Sequence, residues 1–455
     1  MPATDLAART ATELLDALFR DLPARDFVVR LWDGTTWPAQ PGAAPRFTVT
    51  IHDPGVLRRL VLARDEAALG EGYVTGEFDL EGDLEAVGPL AEELLRHPPR
   101  LRDRATLLAT ALRLPRQPGA PAPAPRSHGS PLPWRRRPAG RRHSPARDGS
   151  VVRYHYDASN RFYKLFLDPR MVYSCAYFAA PDESLEDAQL RKLDYVCRKL
   201  RLRPDEHLLD IGCGWGALLV HGALKYGVYA DGVTLSQNQA DVAREYIRTA
   251  GLEDRCTVRV MDYRAFASEG VYDKVASVGM FEHVGRRAMA TYYRQVFRLL
   301  RPGGMFLNQA IGGTLEDADR GQSFTDRWVF PDSELLPISE ALRGAEAIGF
   351  DVRDVENLRE HYALTLRHWL RALEQNREEA VQAAGQQRWR AWRLVFASAA
   401  HRFEASKQHV YQTLLVKPDA AGSAGLPLTR ADWYAGDSPG ERKPAGRPAR
   451  QRSAR

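Results

Sequence analysis

The chain has 455 residues, ordinary apolar content and a net charge of +6; that is longer than one core usually organises, so two domains plus linkers are expected. No run reaches the roughly 18–20 apolar residues of a membrane span, and the N-terminus does not read as a signal peptide, so an integral helical membrane protein is excluded and a cytoplasmic one expected. Four cysteines, Cys175, Cys197, Cys213 and Cys256, lack zinc spacing and are too few for a disulfide scaffold, so reduced thiols and no metal are expected, while the uneven positive charge points to nucleic acid or an anionic membrane surface.

Along the chain, "DFVVRLWDGTTW" predicts a strand, a turn at Asp33-Gly34 and a return. "RFTVTIHDP" is a second strand, apolar at alternating positions from Phe47 to Ile51, and "GVLRRLVLAR" is helical. "LGEGYVTGEFDLEGDL" follows, and residues 1–113 read as a small α+β domain. Residues 114–150 are rich in Pro, Gly and Ala with clustered arginines, including Arg135, Arg136, Arg137, Arg141 and Arg142; such a segment cannot bury a core and reads as a disordered linker.

Strand and helix patterns then alternate. "HLLDIG", "VYADGVTL", "CTVRVMD", "YDKVASVGM" and "MFLNQAI" read as strands. Helices lie between them, one opening with Ser236 as N-cap. The alternation predicts an α/β domain over 151–420 with a doubly wound, mostly parallel sheet. Beyond Gly312 the pattern loosens, then turns helical from His361 to Lys407. Residues 421–455 are basic and proline-containing and read as a disordered tail.

"LLDIGCGWG" sits where the first strand of that domain feeds its first helix. Gly212, Gly214 and Gly216 would let the backbone turn tightly and approach a ligand. A tight turn without a ligand has little need of three alternating glycines. The spacing departs from G-x-G-x-x-G, which weakens a dinucleotide reading. The acid-x-G-x-G-x-G run, headed by Asp210, resembles the first motif of class I S-adenosylmethionine (SAM) methyltransferases, where the glycines admit the amino-acid end of the cofactor. The second strand lacks the usual terminal acid for the ribose hydroxyls, and Gln239 is a polar group that could substitute.

"YHYDASNRFYKLFLDPRMVYSCAYF", "LDIGCGWG", "GVTLSQNQ", "MDYRAF", "VGMFEHVG" and "LRPGGMFLNQAIG" occur in that order. As a set they resemble the cyclopropane-fatty-acid synthase family and its mycolic-acid relatives over about Tyr154 to Val416. The stretch Leu69 to Leu84 resembles the extra domain of the phospholipid-acting members. The resemblance implies a Rossmann-like methyltransferase fold. It assigns the cofactor to Tyr173, Ser174, Asp210, Gly212, Gly214, Gly216, Thr234, Leu235, Gln239, Asp262 and Tyr263. It implies methyl transfer to a cis double bond, giving a carbocation that closes to a ring when a bound bicarbonate removes a proton. Glu282 would hold that anion and accept its proton, with the Cys175 backbone, Ile311 and Tyr362 completing the site. Tyr156 and Tyr173 are expected at the site, whereas Tyr177, Phe178 and His283 are read as structural. Two departures bear on the chemistry. Gln309 stands where the family often has histidine, and glutamine cannot carry charge or move a proton. Ala399 stands where some members have cysteine, which excludes a thiol nucleophile there.

The implied substrate is an unsaturated phospholipid acyl chain at an anionic membrane surface, reached by a protein peripheral to the inner membrane face; a homodimer is compatible with it. The product could be a cyclopropane or a methylene- or methyl-branched chain. A nucleic-acid methyltransferase is the competing reading of the arginine clusters, but no nucleic-acid-binding module and no "NPPY"-type motif is present. A non-catalytic lipid-binding protein would not need the glycine loop and Glu282.

Overall fold

The computed structural model describes residues 3–22, 24–63, 66–96, 101–115, 147–148, 159–315, 324–330 and 332–434. Two sheets are formed among them. The N-terminal sheet contains β1 (Phe27–Arg30), β2 (Thr36–Trp37), β3 (Phe47–Ile51) and β4 (Phe78–Gly82), in the order β2-β1-β3-β4. Phe27, Trp37, Phe47, Ile51 and Phe78 turn inward from it, against helices that include Ala3–Leu18 and Leu101–Arg113.

The second sheet contains β5 (His207–Ile211), β6 (Tyr229–Thr234), β7 (Cys256–Val260), β8 (Tyr272–Val278), β9 (Leu300–Gly313), β10 (Asp351–Asn357) and β11 (Gln408–Val416). Its order is β10-β11-β9-β8-β5-β6-β7. β9, β8, β5, β6 and β7 pair in parallel, as the alternation of strand and helix predicts. Strand β5 is buried on both faces, which its continuous apolar run requires. The chain winds from β5 outward through β6 to β7, then crosses back to β8. The order therefore reverses between β5 and β8, and the crevice at their carboxyl ends is where an open α/β sheet binds ligands. The helices that support this edge carry sequence-coded caps. Ser236 accepts from the Gln239 amide, and Ser184 caps Leu185–Lys199 by accepting from Asp187.

Three features differ from the sequence expectation. β10 and β11 add an antiparallel pair to the parallel sheet. β10 is an edge strand, and its charged residues hide the alternation; Asp354 is buried because Lys199 Nζ donates to it at 3.0 Å. Residues 421–434 are not all tail, because Trp433 is buried beside Lys199, Arg201 and Arg430. Most of the 114–150 linker lies outside the described residues. Its end does not: Arg147 pairs with Asp332 at 2.5 Å, and Asp148 accepts from Arg264 at 2.8 Å.

The two domains share one core. Apolar residues of the N-terminal unit are continuous with Phe162, Trp369, Trp392 and Phe396 of the C-terminal unit. Arg393, on the helix Gln386–Glu404, is one polar tie across that core, beside Arg390 and Arg367. It donates to Tyr73 Oη at 2.9 Å, to the Leu80 carbonyl at 2.8 Å and to Glu374 at 2.7 Å. Removing it would leave the buried Tyr73 hydroxyl and the Leu80 carbonyl without this donor. Arg393→Met should cost about 3 kcal/mol, read as a lower urea midpoint. An unchanged midpoint would show that the apolar contacts and the other polar ties hold the domains together without Arg393.

Candidate active site

The cleft at the reversal point is lined from five directions. The loop 172–174 contributes Tyr173 and Ser174, and the end of β5 contributes Asp210, Gly212 and Gly214. The β6 end adds Thr234, Leu235 and Gln239; the β7 end adds Asp262 and Tyr263; the β8 end adds Gly279 and Met280. Every expected cofactor residue except Gly216 is on this surface. All three loop glycines have positive φ, 84° at Gly212, 53° at Gly214 and 87° at Gly216. Their reasons differ. A Cβ at Gly214 would meet nothing within 4 Å and would stand in the cleft itself, whereas one at Gly216 would meet Ala243 Cβ at 2.9 Å. Gly216 therefore lets two helices approach, and Gly214 leaves the backbone open to a ligand.

Polar groups around the cleft are only partly satisfied. Thr234 Oγ1 donates to Gln239 Oε1 at 2.7 Å, which fixes the glutamine beside the cleft. Asp262 caps the turn that follows it and accepts from Arg264 Nε at 2.8 Å, so it is a cap as well as a wall. Asp210 is 4 % exposed, its Oδ1 has no partner, and burial raises its carboxyl pKa to about 7. A backbone cradle, an unpartnered buried carboxylate and separate polar groups on three strand ends fit SAM, which has a zwitterionic end, a ribose and an adenine. No group of His, Cys, Asp and Glu among the described residues could hold a metal ion.

Glu282 stands next to the cleft, on a 3-10 turn immediately after β8. It is 6 % exposed. Its Oε1 accepts from the Ile311 amide of β9 at 2.7 Å, and its Oε2 has no partner. Burial raises its pKa to about 7. Gln309 lies two residues before Ile311, on the same face of β9. It accepts from Gln412 of β11 at 2.8 Å, and its carbonyl accepts from Gly279 at 2.8 Å. Cys175 is buried, with its thiol pKa raised by desolvation, and its Sγ lies 3.7 Å from the Leu358 carbonyl, at the start of the helix that carries Tyr362. The Tyr362 ring packs against Phe403 and edge-on to Trp369. Among the described residues Glu282 makes no hydrogen bond to Tyr362 or Cys175. Of the described residues assigned to the anion, the structure joins the Glu282 side chain directly to Ile311. Tyr156 lies outside the described residues.

Aromatic side chains form the wall behind Tyr173. Its ring is 5.1 Å from Trp369 and 5.3 Å from Tyr163. Tyr177 packs on Tyr195 at 4.4 Å, and Phe178 is buried against His368. His283, also read as structural, lines the cleft. The residue that sequence reasoning missed is Lys192. It is 2 % exposed, lines the cleft and donates to Ser174 Oγ at 2.9 Å. Its signal was present: Gln189 and Lys192 occupy the buried stripe of their helix, with Ala188, Leu193 and Val196.

Comparison with known proteins agrees with this geometry. The family described as mycolic acid cyclopropane synthetase matches residues 143–413, and a domain of unknown function (DUF7884) matches residues 14–92. The chain is 37% identical over 417 residues to a probable fatty acid methyltransferase of Pseudomonas putida, covering 91% of this chain and 96% of that protein. It is 38% identical over 242 residues to cyclopropane mycolic acid synthase 1 of Mycobacterium tuberculosis, covering 50% of this chain and 84% of that protein. Its fold is similar to the crystal structure of mycolic acid cyclopropane synthase CmaA1 complexed with SAH and CTAB, with a TM-score of 0.56 and 33% identity, covering 59% of this chain and 98% of that one. The family match extends over more than half of the chain and includes both the cleft and Glu282, so the protein belongs to the mycolic acid cyclopropane synthetase family and is a SAM-dependent C-methyltransferase.

Proposed function

We propose that this enzyme methylates a cis double bond in phospholipid acyl chains and closes a cyclopropane ring, using a bound bicarbonate as base. The observation that carries this reading is Glu282, a carboxyl buried beside the cleft with one oxygen anchored and the other unpartnered. SAM, held by the cleft residues named above, would supply an electrophilic methyl group. The chain's own residues would do the rest. Tyr173 and the rings behind it would offer an apolar wall for the acyl chain and π faces for a developing cation. Their packing would exclude water, which would otherwise trap that cation.

Glu282 would manage the proton. The Ile311 amide, which the resemblance assigns to the anion, already donates to Glu282. A bicarbonate fits beside Glu282 through its own hydroxyl, which would donate to the unpartnered Oε2 of the ionised carboxylate, so that Glu282 takes that proton as the anion takes one from the substrate. The raised pKa keeps the carboxyl able to take up a proton near neutrality. As the ring closes, the new methyl group loses a proton to bicarbonate, and the C–H electron pair becomes the new C–C bond.

Glu282→Gln should lower turnover by roughly 100-fold while SAM binding is retained. Stability should move the other way. The folded pKa is raised, so this group's contribution is fully present below about 4.5 and is lost as pH rises through about 7. Removing the ionisation should stabilise the variant by about 2–3 kcal/mol at pH 8 and leave it unchanged near pH 4.5. Thermal unfolding at the two pH values reads the difference; full turnover with no pH-dependent gap would contradict the assignment.

A second reading has its own observation. Gln309 is bonded to Gln412 and cannot move a proton, so a hydride shift and loss of a proton elsewhere would give a methylene branch. The two products have equal mass. Proton NMR of lipids from cells with and without the chain distinguishes them: upfield ring protons are expected, and vinylidene protons alone would select the branch. No added CH2 in any phospholipid would reject both.

Access to such a substrate calls for a peripheral membrane protein. No helix among the described residues is long and apolar enough to cross a bilayer. On the helix Leu101–Arg113, Leu108 and Leu112 are exposed one turn apart, and the chain continues into the arginine-rich 116–146 segment. Each arginine near an anionic surface contributes about 1 kcal/mol, screened by salt. Sedimentation with phosphatidylglycerol vesicles should be strong at low salt and weak at high salt; indifference to both lipid charge and salt would refute this docking.

A further inference from the structure

Lys192 is an expensive residue for the work it visibly does. An ammonium removed from water costs several kcal/mol unless it is paired. Here it makes one hydrogen bond, to the Ser174 hydroxyl, and no carboxylate of the described residues lies within 4.0 Å of it. Its pKa is lowered to about 8, with desolvation outweighing the more distant charges of Asp168 and Asp210.

Holding the 172–176 loop does not explain it. Gln189, one turn earlier on the same helix, donates to the Ser174 carbonyl at 2.8 Å and to the Val172 carbonyl at 3.3 Å. Asp168 accepts from the Val172 amide at 2.8 Å, and Thr365 accepts from the Ala176 amide at 3.0 Å. The loop backbone is fastened without the lysine.

What remains is the cleft that Lys192 lines together with Asp210. The polar groups at the β6 and β7 ends suit a ribose and an adenine. Besides Arg264, which pairs with Asp262 at the β7 end, the lining carries the Lys192 ammonium and the unpartnered Asp210 carboxylate, together the complement of an α-amino acid zwitterion. We propose that Lys192 is a cofactor-binding residue whose ammonium, shared with Ser174 Oγ, takes the methionyl carboxylate of SAM while Asp210 takes the α-ammonium. The inference rests on the cofactor assignment above and adds a residue to it.

Isothermal titration with two ligands tests it: SAM, and decarboxylated SAM, which lacks only the carboxylate. The wild-type chain should bind SAM about 50-fold more tightly, the size of a buried charge-assisted contact. Lys192→Met should lose roughly that factor for SAM and almost nothing for decarboxylated SAM. Equal losses for both ligands would mean that Lys192 acts through the loop, and no loss for either would mean that it does not act at all; each overturns the proposal. Should the variant fail to fold, the wild-type comparison still decides, because equal affinity for the two ligands leaves the carboxylate without a partner. A wild-type chain that binds neither SAM nor SAH would instead overturn the cofactor assignment.

Discussion

Unpaired charge buried at one edge of a parallel sheet is the constraint around which this protein is built. Asp210, Lys192 and Glu282 are each almost fully buried, and desolvation pushes each toward its neutral form. Elsewhere the fold pairs its buried charges. Lys199 meets Asp354 and Glu356, and Arg393 meets Glu374. The contrast separates structural ionic groups from those that need a ligand. A chain that can neutralise a buried lysine with the carboxylates of β10 could do so at the cleft, and stability alone would favour it. That the carboxyl ends of β5 and β8 keep their charges unpaired is a cost that binding can offset.

Holding such groups in place requires a stiff surround. The sheet supplies part of it, since Glu282 is tied to β9 through Ile311, and Gly279 to the same strand through Gln309. The helices Arg359–Gln375 and Gln386–Glu404 supply more, carrying Tyr362, Trp369 and Phe396 into the aromatic wall behind Tyr173. These helices are clamped in turn by the N-terminal domain. Arg390 donates to the Tyr73 carbonyl and pairs with Asp79, and Arg367 bridges Glu85 and Glu404. The N-terminal domain therefore acts on the site at one remove, by fixing the helices that shape its apolar wall.

Much of this was legible in the sequence because it depends on local backbone demands. Positive φ at alternating positions needs glycine, and strand–helix alternation needs a parallel sheet; both are written in short windows. Gly216 shows the limit, since the same pattern serves a ligand at Gly214 and helix packing at Gly216, and only the position of Ala243 separates them. β10 and β11 were hidden for another reason. Asp354 and Gln412 are buried but polar, and their partners Lys199 and Gln309 are distant in sequence. Lys192 was overlooked because a lysine on a charged helix reads as solvated until its neighbours are known. Trp433 looked like part of a basic tail because the cations that surround it come from 199–201 and 430.

The chemistry proposed for the site turns on which group can change its protonation state near neutrality. Of the residues that the resemblance assigns to the anion, Gln309 has no exchangeable charge, and Ile311 offers only its backbone. The Cys175 thiol is held protonated by burial. Besides the Tyr362 phenol, Glu282 is left, with a pKa near 7 and one oxygen unpartnered. It makes no bond to Tyr362 or Cys175, so it cannot pass its proton straight to them. A carrier between Glu282 and the reacting carbon is therefore required unless the substrate itself approaches the carboxyl. A small anion such as bicarbonate suits that role, since it can take a substrate proton on one side while passing its own hydroxyl proton to Glu282 on the other. Its position relative to the new methyl group, and not the strength of the base, would then decide between a ring and a branch.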